Sequence, residues 1–325
     1  MLDRYWATNQ MCRSKDAPNQ LMPYFLIIGA AILWASAGTT SKYLFNAGMS
    51  PYTLAQFRVS FSSLIIFGYL LAFSRDILRI RVRDLPYLVV LGALGMGGVQ
   101  VTYLYAISKI KVAMAILLQY LAPFFVATYS WLFLRESMDL WKVLSILLAF
   151  MGCVLVVEAY RVSFLTLNIE GVIAGLLSAG FFSFYSLLGE RAMGRYSPWT
   201  TLFYALVFSA VLFNIAMPIR HIIAWKAELR WCLSVVYIIV CGTVLPFGLY
   251  YMGVEHLRST RASIVATLEP ISAGFLSFIF LGETLTPWQI FGGLLVIIAI
   301  VIIQSRREID LEAPIYKRKV NHGVS

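Results

Sequence analysis

The apolar residues of this chain run on in long stretches, separated by short polar segments, where a soluble helix would alternate faces and a soluble strand would alternate sides. The stretches fall near 24–45, 52–73, 86–106, 112–134, 140–158, 170–189, 199–219, 231–252, 261–282 and 287–304. About 20 apolar residues at a rise of about 1.5 Å each are needed to cross the roughly 30 Å hydrocarbon core of a bilayer. The pattern therefore predicts an all-α integral membrane protein of ten transmembrane helices. Helix starts are marked by Gly48-Met49-Ser50-Pro51, Asp84-Leu85-Pro86, Ser197-Pro198 and Thr286-Pro287, because proline fits the first helical turn, where its missing N–H goes unused.

Shifting the sequence against itself by 147 residues, without a gap, superimposes Pro51 on Pro198, Tyr103 on Tyr250, Pro123 on Pro270, Glu136 on Glu283 and Trp141 on Trp288. Apolar composition aligns Leu with Leu by chance but does not align prolines, a glutamate and a tryptophan in one register. The chain thus reads as two five-helix repeats, 24–158 and 170–304, joined by a loop at 159–169 and flanked by tails 1–23 and 305–325. Five is odd, so the second repeat enters the membrane from the opposite side and the two are inverted. Inverted repeats place a site near the midplane, at their interface, where two halves can rock between openings.

Composition and charge narrow the function. The 325 residues are 60% hydrophobic and 13% charged, with a mean hydropathy of +0.79, against about 25% charged in a soluble protein. The net charge of +10 lies in short loops and tails without a basic stripe interleaved with aromatics, which argues against nucleic acid as a partner. Lys and Arg concentrate instead on the side of the N-terminus, as in Arg75, Arg79, Arg81, Arg83 and the tail cluster Arg306, Arg307, Lys317, Arg318 and Lys319. By the positive-inside rule both termini are expected in the cytoplasm and the 220–230 loop on the other side. Residues 1–22 lack the build of a secretory signal. Cys12, Cys153, Cys232 and Cys241 have no metal or disulfide spacing, so no metal and no cofactor is expected. His221, His256 and His322 fall in predicted loops or the tail, and no hydrolase or metalloprotease motif is present, so an enzyme, like a receptor or scaffold, is the minor alternative.

Ionisable groups inside an apolar span are costly and mark function. Glu269, immediately before Pro270, shares a helix face with Ala262, Ala266, Ala273 and Ser277, a stripe of small residues that lets a ligand or a neighbouring helix come close. It reads as a protonatable or substrate-facing carboxylate, or as a hydrogen-bonder to a neighbouring helix. Pro123 and Pro270 occupy equivalent mid-helix places and are expected to kink their helices, releasing the carbonyls of Gln119 and Ala266. Trp34, Gln100, Tyr103, Gln119, Tyr185 and Tyr250 supply aromatic surface and a few fixed polar groups, which is how small-molecule pockets are built. Ordinary core packing is the bland alternative for each. Arg58 and Lys42 are long enough to snorkel to the interface, Glu136 and Glu283 read as helix-end markers, and Gly92, Gly95, Gly97 and Gly98 read as close helix packing.

Trp34-Ala35-Ser36 with Lys42, the spacing P-x-x-L-x-x-x-R from Pro51 to Arg58, Tyr105-Ala106, Pro123 with Glu136, and Leu268-Glu269-Pro270 with Gly282-Glu283 together resemble the drug/metabolite transporter superfamily, in its EamA-type branch of two five-helix repeats. The resemblance covers roughly 24–304. Arg135-Glu136 stands where that family often shows Gly-Glu. The resemblance implies a multi-pass protein of a bacterial inner (plasma) membrane that carries small polar metabolites by alternating access. Its commonest implication is export of amino acids or related compounds; nucleotide-related compounds, sugars and toxic amphiphiles are the alternative cargoes. Protons are a candidate coupling ligand, through Glu269, and the lipid bilayer is the surrounding partner.

Overall fold

The computed structural model describes residues 21–134, 138–161, 168–216, 228–281 and 286–305, and within these every regular element is a helix. Of the features expected above, tail residues 1–20 and 306–325, residues 220–227 of the 220–230 loop, Glu136 and Glu283 lie outside the described residues.

Helix α1 spans Met22–Asn46 and α2 spans Pro51–Phe73, with Pro51 in the first turn as its spacing predicted. The third apolar stretch is composite: α3 (Leu85–Val90) passes through a π-helical turn (Leu91–Met96) into α4 (Gly97–Lys109). The stretch at 112–134 is two helices, α5 (Val112–Gln119) and α6 (Ala122–Leu134). Helix α7 (Leu140–Val156) starts where the Asp139 side chain accepts from the Lys142 amide, and α8 (Ile169–Met193) where Asn168 accepts from the Gly171 amide, each satisfying an amide left free at a helix start. Helix α9 spans Pro198–Ala216, and α10 (Leu229–Ile239) runs through a second π turn (Val240–Val244) into α11 (Leu245–Ala266). Helices α12 (Glu269–Leu281) and α13 (Pro287–Ser305) complete the order.

Among the described residues, seven helical segments are long and apolar enough to cross a membrane: Met22–Asn46, Pro51–Phe73, Val82–Lys109, Val112–Leu134, Ile169–Met193, Pro198–Ala216 and Leu229–Ala266. The apolar stretches Leu140–Val156 of α7 and Pro287–Ile303 of α13 are shorter. The last long segment is interrupted at Arg258, whose φ of 68° and ψ of 161° are not helical. His256, expected in a loop, is helical and pairs with the Met252 carbonyl.

The interruptions recur at the shift of 147. The gap between α5 and α6 (Gln119 to Ala122) corresponds to the gap between α11 and α12 (Ala266 to Glu269), and Lys111, before α5, corresponds to Arg258. The π turns correspond to within a few residues. The two gaps follow from proline: Pro123 and Pro270 each sit just inside the start of a new helix, so the chain restarts there instead of bending one continuous helix.

Large apolar side chains such as Leu64, Phe73, Trp131, Phe133, Ile215 and Leu229 cover the outside, while small and hydroxylated residues, including Ser41, Ser62, Ser130, Ser145, Ser186 and Ser263, are buried. That inside-out distribution suits a hydrocarbon solvent, in which small residues let helices approach and hydroxyls bond across them. Helices α7 and α13 approach backbone to backbone: a Cβ on Gly152 would lie 2.6 Å from the Gly292 carbonyl oxygen.

Candidate functional site

A cavity of about 20 Å³ lies in the interior, where α1, α2, α4, α8 and α11 meet the α5–α6 and α11–α12 interruptions. Its volume holds one water and no larger solute. Trp34 and Phe182 come from α1 and α8, Gln100 and Tyr103 from α4, and Phe247 from α11. Gln119 and Tyr120 come from the end of α5, and Glu269 opens α12.

Five of the residues expected at a site therefore meet at one wall: Trp34, Gln100, Tyr103, Gln119 and Glu269. Tyr250 and Tyr185 do not reach it. Tyr250 packs its ring 5.5 Å from Trp34 and 5.4 Å from Phe182, with its hydroxyl 2.9 Å from Ser186 Oγ. Tyr185 stacks on Tyr251 at 4.7 Å and meets the edge of Phe247. They form a backing layer that fixes the aromatic wall, because ring edges and faces in contact restrict rotation.

Glu269 is 6% exposed. The Tyr103 hydroxyl donates to Oε1 over 3.2 Å, and the Tyr120 hydroxyl lies 2.8 Å from Oε2 and 2.5 Å from the Ala266 carbonyl oxygen. Ala266 is the residue whose carbonyl Pro270 deprives of its backbone donor. Tyr120 thus closes the gap that the proline opens and holds the carboxylate at the same time. Trp34 Nε1 is buried with no acceptor among the described residues, a donor within the cavity wall that a bound solute can use.

Two expectations are corrected. Arg58 does not snorkel: it is 4% exposed and lines the cavity, with Nε donating to Thr243 Oγ1 at 2.9 Å and Nη2 to the Gly242 carbonyl at 2.7 Å. Helical rise gave its depth but not its direction, and acceptors within a π turn on another helix, the Thr243 hydroxyl and the Gly242 carbonyl that Pro246 leaves without a backbone donor, offered it a nearer partner than water. Lys42 bends inward too, donating to the carbonyls of Ile107 (2.7 Å) and Ile110 (3.1 Å) at the C-terminal end of α4, where cations meet the negative end of the helix dipole. Tyr120 was missed outright. The released Ala266 carbonyl was visible in the sequence, but which residue would cap it was not.

The glycine cluster at 92–98 is close packing as expected: added Cβ atoms at Gly92 and Gly98 would lie 2.7 Å from the Ala205 carbonyl oxygen and 2.5 Å from the Phe181 ring.

Comparison with known proteins bears on both halves of the chain. The model of the EamA-like transporter family matches residues 21–158 and again 169–305. An uncharacterized transporter of Archaeoglobus fulgidus is 30% identical over 267 residues, covering 82% of this chain and 91% of that protein. The uncharacterized inner membrane transporter YicL of Salmonella typhimurium is 26% identical, with 86% and 95% covered. The threonine/homoserine exporter RhtA of Escherichia coli is 25% identical, with 83% and 86% covered. One solved crystal structure superimposes with a TM-score of 0.70 at 18% identity, covering 86% of this chain and 95% of the other, a likeness of fold.

Proposed function

This chain belongs to the EamA-like transporter family, and from that premise we propose that it carries small polar metabolites, amino acids or related compounds first among them, out of the cell by alternating access around the central cavity. The reading takes the protein as ten membrane crossings in two inverted five-helix repeats, 24–158 and 170–304. The long segment Leu229–Ala266 is divided at Arg258, its part after Arg258 running on with α12 as one crossing, and α7 and α13 serve as shorter crossing elements. Both termini are cytoplasmic in this arrangement. Support comes from the family match to each half, from the interruptions that recur at the 147-residue shift, and from the loop charges.

The observation that carries the functional reading is the composition of the cavity wall, with Trp34, Gln100, Tyr103, Gln119 and Glu269 drawn from both matched halves. A carboxylate backed by two phenols can hold an ammonium group, and an aromatic wall can hold its side chain. The relative named as a threonine/homoserine exporter makes those two solutes the first probes. Tyr185 and Tyr250 support the wall from behind. Pro123 and Pro270 provide the helix restarts on which the site is built.

The test is uptake or counterflow of labelled threonine and homoserine, then of the other amino acids, into proteoliposomes of the purified protein. Trp34→Ala and Tyr103→Ala are expected to reduce transport of the same solute; wild-type rates in both variants would remove the cavity from consideration. Protons enter through Glu269. Under coupling alone, Glu269→Gln abolishes accumulation driven by a pH gradient and spares exchange; loss of exchange as well marks the carboxylate as the ammonium partner, and gradient-driven transport at the wild-type level excludes coupling there. For orientation, an impermeant reagent applied to intact cells is expected to label a cysteine at Trp225 and to spare one at Lys317.

A further inference from the structure

We propose that Arg58 is the specificity-determining residue of the central cavity: it receives a carboxylate of the substrate, so that the site prefers solutes bearing both a carboxylate and an ammonium group over amines that lack the acid. The inference rests on reading the cavity as the transport site and assigns the cationic group that lines it together with Glu269.

A guanidinium taken out of water costs several kcal/mol unless its donors are used. Arg58 lies two turns into α2, and two of its three nitrogens are clamped. Nε donates to Thr243 Oγ1, which itself donates to the Ile238 carbonyl at 3.1 Å and so turns a lone pair toward the arginine. Nη2 donates to the Gly242 carbonyl. Both acceptors sit in the π turn Val240–Val244, and Gly242 is the residue whose carbonyl Pro246 deprives of a backbone donor. Both are neutral, so they orient the cation without cancelling its charge. Nη1 has no protein acceptor among the described residues, and Arg58 is part of the cavity lining. Arg58 and Glu269 line the same space without forming an ion pair, and each is tied to other partners. A fixed cation and a fixed anion flanking one small cavity are complementary to a zwitterion inserted between them, and a guanidinium with a free N–H edge suits a carboxylate.

The alternative is that Arg58 merely fastens α2 to the second π turn. The other half of the molecule provides an internal control. There α9 crosses the first π turn, Leu91–Met96, with Ala205 at the position equivalent to Arg58, and the crossing closes by direct contact of Gly92 with the Ala205 backbone. A crossing of this kind holds without a cation, so fastening does not explain the buried charge.

The experiment measures binding to the full-length protein in detergent for L-threonine, threonine methyl ester and N-acetylthreonine, and for the matching triads of the other amino acids. Wild type is expected to bind an amino acid about ten-fold or more tighter than its ester, since hydrogen bonds to charged groups contribute roughly 1.5–3 kcal/mol. Arg58→Gln is expected to erase that difference by weakening the amino acid about ten- to a hundred-fold while leaving the ester unchanged, and Arg58→Lys to restore part of it. Thr243→Val, which keeps the charge but loosens the clamp, is expected to weaken the amino acid alone, and it stands in if Arg58→Gln does not fold. An ester bound as tightly as its amino acid by wild type overturns the assignment, and so does equal loss of amino acid and ester in Arg58→Gln or Thr243→Val. So does a wild type that binds some other solute, sensitive to Trp34→Phe, but no amino acid. Binding that is indifferent to Trp34→Phe, Tyr103→Phe and Arg58→Gln alike would instead sink the cavity as the site.

Discussion

The Tyr120 hydroxyl serves two acceptors with one proton, and the worth of that arrangement can be measured. Hydrogen bonds between membrane helices average only about 0.6 kcal/mol, because the alternative state usually finds another partner. The Ala266 carbonyl has no such alternative, since Pro270 has removed the backbone N–H that would return to it. Leaving a buried acceptor bare costs about 1–3 kcal/mol, so Tyr120→Phe is expected near that range. The check is a double-mutant cycle on thermal or denaturant unfolding. In a Pro270→Ala background, where residue 270 regains its N–H, the cost of Tyr120→Phe is expected to fall by more than half; the same cost in both backgrounds would show that Ala266 is not what Tyr120 serves. At this scale the sequence displayed the residues whose chemistry is out of place in hydrocarbon, such as Glu269, and those with large polar-tipped rings, such as Trp34 and Tyr103. It misdirected Arg58 because rise along a helix measures depth, while the choice between snorkelling outward and turning inward depends on acceptors 184 and 185 residues away in the chain. Tyr250 and Tyr185 shared the aromatic signature of the wall and lie one layer behind it, a distinction of a few ångströms that periodicity does not resolve.

Among the elements, α7 and α13 depend most visibly on glycine. A Cβ at Gly152 would lie 2.6 Å from both the Gly292 carbonyl oxygen and Val296 Cγ2, and 3.0 Å from the Val296 amide nitrogen. Two of those three atoms are backbone, so the helices themselves must part, and overpacking of this kind costs typically about 1–3 kcal/mol. Gly152→Ala is therefore expected to lower the unfolding temperature in detergent. Gly180→Ala, on the exposed face of α8 with nothing within 4 Å of its Cβ, is expected to be neutral or slightly stabilising, because alanine is the better helix former by about 1 kcal/mol. Equal effects at the two positions would remove the close-packing account. The positions of the apolar stretches were legible because bilayer thickness sets a minimum length for each. Their internal construction was less so. Proline announced a disturbance at Pro123 and Pro270, yet a kink and a complete restart look alike in sequence, and neither the π turns nor the left-handed backbone at Arg258 follows from any residue's intrinsic preference.

At the scale of the molecule, two contacts near the helix interruptions share a position and reverse their chemistry. Lys42, in the last turns of α1, donates to the carbonyls of Ile107 and Ile110 where α4 ends. Glu190, in the last turns of α8, accepts at 2.8 Å from the Ser259 amide, where the chain resumes its helix after Arg258. Position 42 shifted by 147 is position 189, one residue from Glu190. A helix end exposes carbonyls and a helix start exposes amides, so a cation serves at one and an anion at the other. In the inverted arrangement we propose, these contacts belong to opposite ends of the molecule, and with both made the central cavity has a volume of about 20 Å³. Alternating access requires each to break in turn, so removing one biases the protein toward opening at that end. A charge-assisted contact contributes roughly 1.5–3 kcal/mol, enough to shift a two-state population about ten- to a hundred-fold. Lys42→Met and Glu190→Leu, each combined with Gln100→Cys after replacement of the four native cysteines, can be compared in sealed vesicles of both orientations using an impermeant maleimide. Lys42→Met is expected to raise labelling of the cavity cysteine from the extracellular face only, and Glu190→Leu from the cytoplasmic face only. Labelling that rises from both faces in either variant would mean the contact supports the fold generally and does not hold one gate. Labelling that stays at the parent level in both would mean that other contacts keep the cavity shut, with the ring stack behind Trp34 the first place to look.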